Sequence, residues 1–242
     1  MLLYYVRHGD PIYNPDSLTP LGQRQAEAIG RRLAAIGMDE VYASTSERAK
    51  ETARPLCEMT GLSLSELDFA NEAHAWREMT LVYPDGSRHW LFLSREACMK
   101  MISPEVFDLG QRWFDHPDFA GKGYDAGIAR IHRETDAWLL GLGYEHDRER
   151  RLYRAIRPNK KKVALFAHEG FGSLFLSSLL DLPYSHFAPY YSMMHTGLTV
   201  IDFPEEEGAC IPHLRTFSNE GHLYDARIPG AQDLGKKYTS MQ

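Results

Sequence analysis

Arg7 and His8 follow directly on the apolar run LLYYV, residues 2–6. Ser44, with Arg48 four residues on, ends EVYAS, and His168 ends KVALFA. Two arginines and two histidines gathered at one place make a site for a tetrahedral dianion, because a guanidinium pairs phosphate oxygens two at a time. Phosphate is the natural ligand of such a set. A histidine within it can serve as ligand, acid or nucleophile. His8, with Gly9 beside it to allow close backbone approach, is best placed to present a ring nitrogen in line to phosphorus. Alone, Arg7-His8 reads as an ordinary polar loop after a strand. Arg48 and His168 at equivalent strand ends turn the reading toward catalysis.

The elements that must bring these residues together are visible as a repeated unit. Residues 2–6 read as a strand buried on both faces. In LTPLGQRQAEAIGRRLAAIG, Thr19 is the expected cap, Pro20 the first helical residue and Gly37 the stop, with Leu21, Ala26, Ile29, Leu33 and Ile36 on one face. A second strand is expected over 40–44, followed by a helix capped by Ser46 and stopped at Gly61. A third strand over 162–167 leads to a helix from about Gly170 to Leu180. Two antiparallel strands, 196–203 and 211–218, are joined by an acidic loop at Glu205 to Glu207. In open parallel sheets ligands bind beyond the carboxyl ends of the strands, where helix N-terminal N–H groups also point. The expected fold is therefore a three-layer α/β/α sandwich with a mostly parallel central sheet.

Residues 70–150 differ in character. They are crowded with aromatics, among them Trp76, Trp90, Trp113 and Trp138, and hold one clear helical stretch over 125–143. They read as an inserted cap packed over the sheet's edge, within a single domain spanning 1–242. Its aromatics are expected to form the core of a small cap, with some of them as pocket wall.

The chain has 242 residues, a formal charge of -6 and 43% hydrophobic residues. That composition supplies a full core and no global attraction to nucleic acid or an anionic membrane. Cys57, Cys98 and Cys210 form no C-x-x-C pair, so free thiols are expected rather than disulfides or a zinc knuckle. With no basic leader and no apolar run long enough for a membrane span, a soluble cytoplasmic protein is expected. HEGFG at 168–172 lacks the second histidine of a zinc-protease helix, since Gly172 stands in its place. The other histidines are scattered without metal-ligand spacing. The basic stretch 148–162 reads as a hairpin of solvated cations that discourage edge pairing, ahead of a nucleic-acid patch.

VRHGDPIYN, LTPLGQRQA, YASTSERAKETA, ALFAHEGF and the late SNEGHL together resemble, in order and spacing, the histidine phosphatase superfamily, the phosphoglycerate mutase-like fold, in its branch with the RHG motif. The resemblance covers about the first 60 residues and 160–225. It implies that His8 is transiently phosphorylated, that Arg7, Arg48 and His168 bind the phosphoryl group with Asn14 in support, and that no metal or other cofactor takes part. It also implies a glutamate as proton donor: Glu72, in NEAHAW, is preferred and Glu78 is the second candidate. His222 would be a structural residue near the site. Asp10 is followed by Pro11 where Thr or Ser is usual, and Glu169 stands where many members carry a small residue.

The expected function is hydrolysis of a small phosphomonoester through phosphohistidine on His8. The alternatives are a phosphoglycerate-type mutase using the same chemistry, and a non-catalytic scaffold that binds phospho-ligands.

Overall fold

The computed structural model describes residues 1–229; residues 230–242 of the expected single domain lie outside the described residues. The main sheet has six strands: β1 (Leu2–Arg7), β2 (Glu40–Ser44), β3 (Leu64–Leu67), β4 (Lys162–Ala167), β5 (Leu198–Asp202) and β6 (His213–Asn219). Their order is β6-β5-β1-β4-β2-β3, with β1, β4, β2 and β3 parallel, β5 antiparallel to β1, and β6 antiparallel to β5.

The continuous apolar sequence of β1 is explained by its two covered faces. Leu3 and Tyr5 join Val163 and Leu165 in one core, while Tyr4 and Val6 join Ala164 and Phe166 in the other. Register then sets the rim. Arg7 pairs with Ala167, Phe166 pairs with Ala43, and the His8 N–H donates to the Ala167 carbonyl at 2.8 Å. The residues that leave β1, β4 and β2 therefore emerge side by side.

Helices α1 (Pro20–Ile36) and α2 (Glu47–Thr60) cover one face through Ile29, Leu33, Ala53 and Leu56. Thr19 caps α1 as expected, its hydroxyl accepting from Gly22 N at 3.0 Å, and Gly37 ends it at φ 79°. Ser46 does not cap α2 with its side chain; the Glu47 N–H is instead taken by Asp16 Oδ2 at 2.8 Å, because the short hairpin Pro11–Tyr13/Asp16–Leu18 folds over that helix end.

The opposite face carries α3 (Glu72–Glu78), α4 (Tyr124–Gly141) and α5 (Glu169–Leu179). Tyr5 stacks on Phe171 and Phe175, and Trp138 of α4 meets Tyr42 edge-on at 5.5 Å. The 70–150 segment thus covers a face of the sheet rather than its edge, because its aromatic stripe is long enough to continue the core beside α5. Trp113 centres that stripe, in ring contact with Phe119, Tyr124 and Tyr184.

The basic hairpin forms as Tyr144–Asp147 and Leu152–Ala155. Two details differ from expectation. Gly208–Cys210, after the acidic loop, adds a third strand to it. Arg148 is not simply solvated: it forks onto Asp136 at 2.7 Å through both Nε and Nη2 and donates to Ser178 Oγ at 2.8 Å. The three cysteines are free thiols. Among the described residues no helix is long and apolar enough to cross a membrane.

Candidate active site

Gly9 lets the loop after β1 run against the first turn of α1. A Cβ at that position would stand 2.7 Å from the Gly22 carbonyl oxygen, so only glycine permits the approach. The Gly9 N–H donates to Thr52 Oγ1 at 3.0 Å, and that hydroxyl donates to the Arg48 carbonyl at 2.7 Å. One bridging hydroxyl therefore fixes the His8 loop to the turn that carries Arg48.

His8 is buried, and its Nδ1 lies 2.7 Å from the Gly9 carbonyl. A carbonyl only accepts, so Nδ1 carries the proton and the lone pair of the neutral ring is on Nε2. The ring centroid of His168 is 5.1 Å away and that of His195 is 5.6 Å away. His168 Nε2 faces Ser44 Oγ at 2.8 Å, and its Nδ1 stands 3.4 Å from Glu72 Oε2. Burial, with His8, Arg48 and Arg7 adding, holds His168 well below the usual imidazole range, so it is neutral.

Glu72 opens α3 beneath these rings. Its Oε1 accepts from the Gly170 N–H at 2.9 Å and its Oε2 lies 3.2 Å from Arg48 Nη2. Burial raises its pKa, partly opposed by Arg48, Arg7 and the Gly170 N–H. Glu78 does not reach the site; both of its oxygens are held by Arg130, at 2.5 and 2.7 Å.

Both arginines face carboxylates. Arg48 Nη1 meets Asp16 Oδ1 at 2.7 Å, and Arg7 Nη1 meets Glu169 Oε2 at 2.6 Å. The other Glu169 oxygen accepts from Ser192 Oγ at 2.7 Å and from Met193 N at 3.1 Å. The expectation that free helix N–H groups point at the ligand is corrected here. Asp16 occupies the Glu47 N–H of α2 and Glu72 occupies the Gly170 N–H of α5. Asn14, expected in support of the phosphate, is exposed at the turn of the hairpin, one residue from Tyr13, whose ring lies 5.4 Å from the Arg48 guanidinium carbon.

Three buried polar atoms in this pocket lack a hydrogen-bond partner: Arg7 Nε, Arg48 Nε and His168 Nδ1. Buried polar groups are nearly always satisfied, so a cluster of unsatisfied nitrogens beside two cations marks a place for an acceptor-rich anion. His8, Glu72 and His168 also bring ligand atoms within 4.8 Å of one another, a spacing open to a metal ion. The neighbouring guanidinium groups of Arg7 and Arg48 oppose a dication there and attract an anion.

His195 was not singled out by sequence, although the MMHTG turn before β5 places it. Its Nδ1 is 3.6 Å from Asp10 Oδ1. His222 supports the site at one remove. Thr196 Oγ1 donates to the His195 carbonyl, so it accepts from His222 Nε2 at 3.0 Å, while the Thr196 N–H donates to the Arg7 carbonyl at 2.9 Å.

Arg7, His8, Arg48 and His168 thus meet at the carboxyl rim of a mostly parallel α/β sandwich. Residues 3–91 match the model of the histidine phosphatase superfamily (branch 1). The chain is similar to a probable phosphatase of Schizosaccharomyces pombe, at 20% identity over 92% of this chain and 95% of that one. Solved structures of like fold include a mutant phosphoserine phosphatase from Entamoeba histolytica in complex with phosphoserine, at 18% identity and TM-score 0.57, covering 92% of this chain and 98% of that one. A mycobacterial glucosyl-3-phosphoglycerate phosphatase has 20% identity and TM-score 0.57, covering 90% and 99%. The alpha-ribazole phosphatase of Shigella flexneri has 20% identity and TM-score 0.55, covering 90% and 96%.

Proposed function

We propose that this protein hydrolyses small phosphomonoesters in two steps through a phosphohistidine on His8. The carrying observation is the cluster of unsatisfied buried nitrogens on Arg7, Arg48 and His168 around the His8 ring. The Nε2 lone pair of His8 attacks phosphorus as the ester P–O bond breaks. The departing oxygen takes its electron pair and the proton of Glu72. Water then attacks the phosphohistidine, giving its proton to the Glu72 carboxylate, and the P–N bond returns its pair to Nε2. Arg7, Arg48 and His168 hold the phosphoryl oxygens and stabilise the transition state.

Phosphatase names among the relatives support this reading, as do the phosphoserine and 3-phosphoglyceric acid in the Entamoeba histolytica complexes. Both pocket arginines already face carboxylates, which favours release of one phosphate over retention of a doubly phosphorylated mutase intermediate. The free thiols accord with a cytoplasmic setting. The test is transfer of labelled phosphate from a phosphomonoester to the protein. Acid-labile label in the wild type that vanishes in His8→Ala is expected, and label persisting in that variant assigns the nucleophile elsewhere.

A further inference from the structure

Ser44, the last residue of β2, and His168, the residue after β4, are both fully buried. Among the described residues the Ser44 hydroxyl has two partners: the Ser46 N–H at 3.2 Å and His168 Nε2 at 2.8 Å. An N–H only donates, so Ser44 Oγ accepts from Ser46, and the hydroxyl's own hydrogen has Nε2 as its acceptor. Turned elsewhere, that hydrogen would be buried with no partner, which native interiors avoid. Nε2 of His168 therefore carries the lone pair and Nδ1 the proton. That Nδ1 is one of the three unsatisfied pocket nitrogens, 3.4 Å from Glu72 Oε2. A second proton on the ring is opposed by burial and by His8, Arg48 and Arg7.

We propose that Ser44 is a positioning residue: its hydroxyl fixes His168 in the neutral ring form protonated on Nδ1, so that the ring offers a hydrogen-bond donor, and no charge, to a phosphoryl oxygen. The inference deepens the phosphatase reading above and takes its ligand from it. The two histidines of the pocket share one tautomer and present opposite functions. His8 is anchored through Nδ1 by the Gly9 carbonyl, an acceptor, and shows its lone pair to the pocket. His168 is anchored through Nε2 by a hydroxyl that donates, and shows its N–H. Nucleophile and phosphate donor are thus distinguished by what holds the far side of each ring.

The test is proton–nitrogen NMR of protein carrying nitrogen-15 in its histidine rings, with His168 assigned by its loss in His168→Asn, together with calorimetric titration of inorganic phosphate. In the phosphate-bound wild type His168 is expected as a neutral ring protonated on Nδ1. Ser44→Ala is expected to lose that single pattern and to raise the Kd for phosphate about fivefold to tenfold, as one buried hydrogen bond is misdirected. Ser44→Thr, which keeps the hydroxyl, is expected to restore both. A His168 protonated on Nε2, or on both nitrogens, in the wild type overturns the inference without recourse to any variant. Ser44→Ala with the wild-type ring pattern and the wild-type Kd overturns it as well. A wild type with the expected ring form that binds phosphate yet cleaves no phosphomonoester overturns the phosphatase reading, and the role of Ser44 in holding the anion stands.

Discussion

Glu169 Oε2 lies 2.6 Å from Arg7 Nη1, and both side chains are only 7% exposed. The first residue of α5 thus compensates one of the two pocket cations before any substrate arrives. Removing one partner of a buried pair strands the other, at a cost of about 3–5 kcal/mol. Glu169→Gln is therefore expected to lower Tm in phosphate-free buffer and to recover much of the loss when phosphate is added. Its Arg7 then has full charge for the ligand, and inorganic phosphate should inhibit competitively with a Ki lower by about threefold to tenfold. A weaker Ki would show that Glu169 contributes more by orienting Arg7 than it subtracts by charge.

The raised pKa of Glu72 gives activity a definite pH sign. The acid form persists to higher pH than that of an ordinary glutamate because burial outweighs Arg48 and Arg7. Turnover of alkyl phosphates is expected to fall as the pH rises through that pKa. Glu72→Gln should reduce kcat on alkyl esters by about 10²- to 10⁴-fold and remove this limb. Esters with good leaving groups, which need less protonation, should suffer much less. A pH-rate profile on both ester types checks this.

Two histidines, His222 buried and His132 half-buried, set an acid limit to stability. Burial holds His222 at about 4, with Arg32 adding to the effect. Burial, with Arg148 adding and Asp136 and Asp181 opposing, likewise holds His132 at about 4. Between the ordinary value of 6.5 and about 4 the unfolded chain binds more protons than the folded one, so stability falls as the pH falls through that window. Urea midpoints measured across it should decline, and His222→Gln should reduce the slope.

Gly9 offers a steric test of how the site is held. A Cβ there meets the Gly22 carbonyl oxygen at 2.7 Å. Gly9→Ala should push the His8 loop off α1 and strain its bond to Thr52. The expected outcome is a loss of activity of about a hundredfold or more, as befits displacement of a reacting group by about an ångström. Steady-state kinetics beside a thermal melt separates this loss from unfolding.

Much of the fold was legible because its signals are local. The double-faced apolar run of β1 and the Thr19, Pro20 and Gly37 boundaries of α1 act on nearest neighbours, and the structure places those elements where they were read. Ser46 makes no side-chain cap bond, and the first N–H of α2 is taken from outside the helix by Asp16, 31 residues away from Glu47 in sequence. His195 was overlooked because its proximity to His8 depends on β5 pairing antiparallel with β1, which no motif near residue 195 announces.

The strand–helix repeat and the residue types at three strand ends are set locally, since hydrophobic period and chain punctuation are properties of neighbouring residues. Which carboxylates surround them depends on the folded chain. Glu72 rather than Glu78 lies beside His168, because Arg130 of α4 captures Glu78. Glu169 turns onto Arg7 because Ser192 and Met193 hold its other oxygen. Charge pairing depends on distance in space, and distances between β1, α3, α5 and residues 188–193 exist only once the sheet's register and the aromatic face are in place.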